Sequence, residues 1–147
     1  VTYSEDELFR YKVCPDWHPV SDMGWPVVPD GLARLLMWIS NESGNLPLYI
    51  TENGAAEPDV VSPDGRVHDA DRIDYLRKHF KAVSGVIAEG VNLKGYYIWS
   101  FIDNFEWAKG YSKRFGIVYC DYATLERIPK DSAYFVKDVI GGLCDWT

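Results

Sequence analysis

The stretch Leu46-Pro47-Leu48-Tyr49-Ile50-Thr51-Glu52 decides how this chain folds. Its side chains are apolar almost throughout instead of alternating with polar ones, which is typical of a strand covered on both faces in a parallel sheet. A second stretch, Gly95-Tyr96-Tyr97-Ile98-Trp99-Ser100-Phe101-Ile102, is rich in aromatic and β-branched residues and predicts another buried strand.

Helices are predicted before and between these strands. The first begins at Pro29 and ends near Gly44, and its apolar face is formed by Leu32, Leu35, Leu36 and Ile39. The second ends at Gly90, and its apolar residues recur at steps of three and four, at Ile73, Leu76, Phe80, Val83 and Ile87. Asp69 or Asp71 can cap the start of this second helix.

The alternation of helices and strands predicts the fold class. A short extended piece is expected over residues 115–120, and a third helix over residues 131–140, with Ala133, Val136 and Ile140 on one side. The order helix, strand, helix, strand, helix implies an α/β fold with parallel strands and right-handed crossovers. Two strands cannot form a sheet that helices cover on both faces. We therefore expect residues 1–147 to be the C-terminal part of one larger domain, whose N-terminal portion is absent from this chain.

The composition excludes several classes of partner. The 147 residues carry a net charge of −7, which argues against nucleic acid and anionic membrane as partners. No apolar run approaches the ~20 residues that cross a bilayer. The three cysteines, Cys14, Cys120 and Cys144, are widely spaced and do not form a metal-binding pattern. We expect free thiols in a reducing compartment, and hence a cytoplasmic protein with no metal.

Histidine is not expected to take part in catalysis. His79 lies off the apolar stripe of its helix and is predicted on a solvated face, His68 lies in a loop, and His18 lies among prolines. The chain also has no phosphate-binding loop, dinucleotide fingerprint or nucleophile elbow.

Polar side chains follow both predicted strands. Glu52 ends the first strand, and Asp103, Asn104 and Glu106 follow the second. Ligand sites in parallel α/β folds lie at the carboxyl ends of the strands, so Glu52 and Glu106 are candidate site residues. A solvated loop carboxylate is the competing interpretation for each. The neighbouring tryptophans suit stacking on a sugar ring, with core packing as the alternative.

Several motifs together resemble those of glycoside hydrolase family 1, the β-glucosidase and β-galactosidase family. They cover residues 21–138 and include Ser21-Asp22-Met23-Gly24-Trp25, Thr51-Glu52-Asn53-Gly54, Arg72-Ile73-Asp74-Tyr75-Leu76 and Asp103-Asn104-Phe105-Glu106-Trp107. The run from Gly110 to Gly116 also matches. The combination of Glu-Asn-Gly with Asn-Phe-Glu-Trp at this separation is highly specific to the family.

The resemblance implies a (β/α)8 TIM barrel and a retaining β-glycosidase without a cofactor. Residues 48–52 would be strand seven and residues 96–101 strand eight. Glu52 would be the nucleophile, and Glu106 would accept hydrogen bonds from glycone hydroxyls. Trp107 would donate its indole N–H, Trp99 would form a stacking floor, and Phe115 would close the pocket wall. The resemblance also implies a cis peptide bond between Trp99 and Ser100. The expected partner is a small β-glycoside or oligosaccharide.

Two features separate this chain from the whole family pattern. Glu57 stands where the family often has an aromatic residue, which affects the outer loop and the aglycone preference. The family's acid/base Glu lies in an Asn-Glu-Pro motif, and that motif does not occur in this sequence. A non-catalytic sugar-binding relative therefore stays as the alternative function. Hydrolysis of 6-phospho-β-glycosides is disfavoured by Glu106, Trp107 and Phe115.

Overall fold

Helices and strands alternate in the predicted order in residues 19–144, the part of the chain that the computed structural model describes. The elements are α1 (Pro29–Ser43), β1 (Leu48–Asn53), α2 (Ala70–Ala88), β2 (Leu93–Ile98) and α3 (Asp131–Ile140). Before α3 the chain also forms a 3-10 turn (Trp107–Lys109) and an antiparallel hairpin of β3 (Val118–Cys120) and β4 (Arg127–Pro129). Sequence periodicity did not predict this hairpin, because strands of three residues are too short to show a period. Cys14 and His18 lie outside the described residues.

The two long strands pair in parallel, as predicted. Leu48 lies opposite Leu93, and Ile50 lies opposite Tyr96. β2 ends at Ile98, four residues earlier than the sequence predicts. The backbone there leaves β1: the Ser100 N–H donates to the carbonyl oxygen of Phe115 at 3.0 Å. The Trp99–Ser100 peptide bond is cis.

The core lies between β1, β2 and the first two helices. Leu36 of α1, Ile50 of β1, Val83 and Val86 of α2, and the following Val91 form one buried apolar cluster. Within residues 19–144 the helices cover one face of these strands, whereas the prediction of two covered faces concerned the larger domain. Tyr49 and Tyr97 are 57% and 59% exposed, because both helices pack on the face that carries Ile50.

Helix α2 buries Leu76 and Val83 as predicted, but polar residues share its buried stripe. Its buried residues are Arg72, Leu76, His79, Val83 and Val86, whereas Ile87 is exposed. The prediction of a solvated His79 is wrong, since only 4% of this residue is exposed. Its Nδ1 atom lies 2.8 Å from the Tyr75 carbonyl oxygen, and its ring stacks on the Tyr75 ring. The spacing of apolar residues along a helix does not predict buried polar residues, which can lie on the buried face when they have hydrogen-bond partners nearby.

Three further local predictions need correction. Leu35 of α1 is exposed, although it was predicted on the apolar face, and Ile140 of α3 is 82% exposed. Asp69 does precede α2, but its side chain makes no capping bond to that helix. Its carboxylate instead accepts from Arg72 and from Ser132. Within residues 19–144, every helix is too short or too polar to cross a bilayer.

Candidate active site

The five predicted site residues line one cavity. It has a volume of about 440 Å³ and lies at the carboxyl ends of β1 and β2, which meet at one edge because the strands are parallel. Its lining combines two carboxylates with aromatic rings: Trp25, Glu52, Asn53, Gly54, Trp99, Glu106, Trp107 and Phe115. Such a lining can accept hydrogen bonds from hydroxyls and stack on an apolar ring face. The individual roles of the five residues stay predictions.

The backbone after Glu52 lies directly against Trp99. The Trp99 N–H donates to the carbonyl oxygen of Asn53 at 3.0 Å. A Cβ atom added at Gly54 would lie 1.6 Å from the Trp99 carbonyl oxygen, so only glycine permits this approach. This contact explains why glycine follows Glu-Asn and why the ends of β1 and β2 keep one geometry.

A half-buried tyrosine fixes the Asn53 side chain. The Tyr96 hydroxyl donates to Asn53 Oδ1. Burial, helped by the nearby Tyr75 hydroxyl, raises the pKa of Tyr96. Glu52 itself is exposed, and among the described residues no side chain or backbone group hydrogen-bonds its carboxylate. The carboxylate is therefore accessible to a molecule in the cavity.

Glu106 and Trp107 lie on a tight turn beyond β2. The Glu106 N–H donates to the Gly110 carbonyl oxygen and the Lys109 N–H donates to the Glu106 carbonyl oxygen, each at 2.7 Å. The Glu106 carboxylate accepts from Asn104 Nδ2 at 3.0 Å. Trp107 is 82% exposed, so its indole N–H is available at the cavity rim. This turn presents a carboxylate and an N–H donor together.

Trp25 and Phe115 form an aromatic wall of the cavity, and an ion pair anchors the loop that carries Trp25. Phe115 is buried, and its ring centre lies 6.1 Å from that of Trp25. Lys113 Nζ donates to the Asp22 carbonyl oxygen and pairs with the Asp22 carboxylate at 2.8 Å, which anchors the loop that carries Trp25. Sequence reasoning did not name Trp25 as a lining residue, although its motif had been recognised.

Asp103 is the centre of a buried charge network behind the cavity. Its carboxylate pairs with Lys130 at 2.8 Å and with Arg114 at 2.5 Å, and it also accepts from the Gly116 N–H at 3.0 Å. Lys130 Nζ has a second carboxylate partner, Asp59, at 2.5 Å. The network therefore ties the segment that precedes Glu106 to the start of α3.

Arg72 continues this network toward β1. Its guanidinium pairs with Asp59 at 2.7 Å and Asp69 at 2.5 Å, and it donates to the backbone carbonyl of Arg114 at 2.8 Å. Three cations face three carboxylates in the whole network, so its charges balance: Arg72, Arg114, Lys130, Asp59, Asp69 and Asp103. The long loop after Glu52 is thereby fixed in place. Arg72 and Asp103 both lie within recognised sequence motifs. The sequence gave no sign of the oppositely charged partners that each of them has in the structure.

Glu57 lies outside the cavity lined by Glu52. Its N–H donates to the Arg114 carbonyl oxygen at 3.1 Å, and it lines a separate cavity with Tyr75 and Asp71. Burial raises the pKa of Glu57 to about 7, although the Arg72 charge opposes the shift. The departure from the family pattern at this position therefore does not alter the lining around Glu52 and Glu106.

Comparison with known proteins gives matches over most of the chain. The sequence profile described as Glycosyl hydrolase family 1 matches residues 1–142. Beta-glucosidase A of Thermotoga maritima is 57% identical over 122 residues, which are 83% of this chain and 27% of the relative. Beta-glucosidase A of Acetivibrio thermocellus is 49% identical over 120 residues, 82% of this chain and 27% of that relative.

A solved structure agrees with these sequence matches. The family 1 β-glucosidase from Thermotoga maritima in complex with isofagomine lactam superposes with a TM-score of 0.88 at 53% identity. The match covers 91% of this chain and 30% of that structure, so the chain spans less than a third of the length of its relatives. Family 1 β-glucosidases are TIM barrels, and the described residues correspond to part of one. The chain belongs to glycosyl hydrolase family 1.

Proposed function

We propose that this chain supplies the nucleophile and the sugar-binding residues of a retaining β-glycosidase that acts on β-linked glucosides or related sugars. The observation that carries the proposal is the one cavity that Glu52 and Glu106 line together with four aromatic residues. It lies where the strand ends of a parallel α/β fold place their ligand sites. Names of the relatives, β-glucosidases from two bacteria, support the same substrate class.

Glu52 acts as the nucleophile in this proposal. A retaining glycosidase uses two carboxyl groups ~5–5.5 Å apart, one to attack the anomeric carbon and one to protonate the leaving oxygen. The accessible Glu52 carboxylate attacks and forms a covalent glycosyl-enzyme as the glycosidic bond breaks. Water then releases the sugar, with the second carboxyl group acting as the base.

The remaining cavity residues bind the sugar. Glu106 accepts hydrogen bonds from hydroxyls of the glycone, and Trp107 donates its exposed indole N–H to a ring hydroxyl. Trp99 forms the floor on which the apolar face of the ring stacks, and Phe115 closes the wall beside Trp25. None of these steps needs a metal or an organic cofactor.

The proposal assigns the acid/base residue to an N-terminal portion of the same protein. In this assignment β1 is strand seven and β2 is strand eight of the barrel. The described sheet has two strands, and β1 and β2 each have one edge without a partner within residues 19–144. A barrel of eight strands requires neighbours at both edges.

Covalent labelling tests the assignment of the nucleophile. A 2-fluoro-glycoside slows the release of the glycosyl-enzyme, so peptide mapping of the inactivated protein, with its complete barrel, should find the label on Glu52. Glu52→Gln should abolish labelling and lower kcat by several orders of magnitude with little change in Tm, since the lost group acts in the chemical step. A label on Glu106 would overturn the assignment. Tight glycoside binding with no label and no turnover would favour the non-catalytic sugar-binding function.

A further inference from the structure

The side-chain amide of Asn104 lies between a buried hydroxyl and the Glu106 carboxylate. Its Nδ2 atom donates to Glu106 Oε2 at 3.0 Å. On the other side, Ser100 Oγ lies 3.2 Å from Asn104 Oδ1, and its proton is shared with the Ile102 carbonyl oxygen at 2.8 Å. Ser100 is buried, with 7% of the residue exposed.

The chemistry of the partners determines which way the amide points. An ionised carboxylate can only accept hydrogen bonds, so the NH2 group of Asn104 must face Glu106. The amide oxygen then faces Ser100, which supplies a proton. A reversed amide would place its oxygen against the carboxylate, where two acceptors would repel each other. The amide is therefore oriented by its surroundings.

The Asn104 backbone is held separately from its side chain. Its carbonyl oxygen accepts from the Tyr122 hydroxyl at 3.3 Å. The Tyr122 ring in turn packs on the Tyr111 ring and lies under the Arg114 guanidinium. Asn104 thus has a fixed backbone, a fixed amide and one hydrogen bond to Glu106. That bond occupies Oε2 and leaves Oε1 of Glu106 for another partner.

We propose that Asn104 is a positioning residue, which orients the Glu106 carboxylate toward the sugar in the cavity. The inference rests on the proposed function, because it assigns Asn104 a task only if Glu106 binds the glycone. A glutamate at the rim of an open cavity has several side-chain rotamers, and binding must select one of them. Asn104 makes that selection before the sugar arrives.

A double-mutant cycle tests the inference in an enzyme with the complete barrel. Asn104→Asp keeps the shape of the side chain, removes its donors and adds a carboxylate beside Glu106. In the parent enzyme it should lower kcat/KM for a nitrophenyl β-glucoside about 10- to 100-fold, as expected for a charged hydrogen bond. In a Glu106→Gln background the same substitution should cost less than about threefold, because donor and acceptor are then exchanged and still pair.

Controls separate orientation of Glu106 from support of the turn. Tyr122→Phe removes the bond to the Asn104 backbone and leaves its amide in place, so its effect should be equal in both backgrounds. If the Asn104→Asp variant does not fold, Asn104→Ala replaces it in the same cycle. A large loss of kcat/KM is then expected only in the background that keeps Glu106. Equal losses in both backgrounds, or no loss in the parent, would overturn the inference. A parent enzyme without turnover would overturn the proposed function and this inference together.

Discussion

At the scale of single residues, Gly54 shows how the absence of a side chain lets two backbone segments of the cavity wall lie in contact. The carbonyl oxygen of Trp99 occupies the place where a Cβ atom of residue 54 would lie. Glu52 and Trp99 are thereby brought to one cavity wall by contact between two backbones, without any side-chain bond between them. A motif glycine beside the candidate nucleophile Glu52 is explained here by packing.

Gly54→Ala should therefore damage both stability and activity. The added methyl group cannot fit, so the ends of β1 and β2 must separate, at a cost of ~1–3 kcal/mol as in other overpacked sites. We expect a lower Tm and a reduced kcat, measured by thermal unfolding and by hydrolysis of a nitrophenyl β-glucoside. Gly85→Ala is the matched control, since nothing lies within 4 Å of its added Cβ atom and helix α2 should gain ~0.5–1 kcal/mol. Equal effects of the two variants would contradict this explanation.

At the scale of elements, the buried charge network joins segments that lie far apart in the sequence. Lys130, at the start of α3, reaches the loop after β1 through Asp59 and the segment after β2 through Asp103. Burial lowers the pKa of Lys130, and its two carboxylate partners oppose that shift. A buried ion network of this kind is sensitive to the loss of any one member, because the remaining charges stay buried without a partner.

Lys130→Met should destabilise the fold strongly. It removes one cation from a cluster of three carboxylates, and breaking a buried pair in this way costs ~3–5 kcal/mol. Chemical denaturation of the enzyme with its complete barrel should show the loss as a lower midpoint with an unchanged slope. Lys78→Met is the control, because Lys78 and Asp74 form an exposed pair on α2 whose loss should cost less than ~0.5 kcal/mol. A Lys130 variant as stable as the Lys78 variant would show that the network contributes little.

His68 gives the link between the loop after β1 and α3 a pH dependence. Its ring lies 2.7 Å from Asp131 and 3.0 Å from Asp64, and the hydrogen bonds with these two carboxylates raise its pKa, Asp131 having the larger effect. Because its pKa is higher in the folded than in the unfolded protein, His68 stabilises the fold fully below the unfolded pKa of 6.5. This stabilisation is lost as the pH rises through the folded pKa. His68→Gln should therefore lower Tm at pH 6 more than at pH 9.

The effect of pH on stability has the opposite sign at His79. Burial lowers its pKa, although the Tyr75 carbonyl opposes the shift, so protonation at low pH favours the unfolded chain. His79→Gln should have its smallest effect on Tm at pH 5 to 6 and its largest above about pH 6.5, the unperturbed histidine value. The same pH trend in both histidine variants would contradict the assignment of their environments.

At the scale of the whole molecule, the described residues expose apolar surface that a barrel would cover. Tyr49, Tyr97 and Phe101 are all more than half exposed, and Ile140 projects from α3. The groove between α2, β2 and α3 is lined mainly by apolar side chains, among them Phe80, Val136 and Ile140. Unpaired strand edges beside such surfaces favour association with other chains.

We expect the 147-residue chain on its own to be inactive. It lacks an Asn-Glu-Pro motif, and the two parallel strands found in residues 19–144 do not make the eight of a TIM barrel. Purified alone, it should aggregate or misassemble and should not hydrolyse a nitrophenyl β-glucoside. Refolding it together with the N-terminal portion of the same protein should restore turnover, with that portion alone as the control. A soluble monomer of this chain with measurable turnover would contradict the expectation.

The sequence by itself determined the order of the main elements and the place of the candidate site. The apolar runs before Glu52 and Glu106 are local signals, and parallel strands bring such carboxyl ends to one edge without further information. The motifs of the family then identified the residues around the cavity. The inferences about elements and strand ends depend on residues close together in the chain, whereas the family match combines motifs spread over residues 21–138.

Only the tertiary structure decided which polar groups are buried and which apolar ones are not. Arg72 and His79 occupy the buried stripe of α2, while Ile87, Leu35 and Ile140 are exposed. A helical period assigns the inward face by hydrophobicity, but a charged group becomes buried only when partners from distant segments neutralise it. The partners of Arg72 include a carbonyl 42 residues away, and no local pattern predicts a contact at that separation.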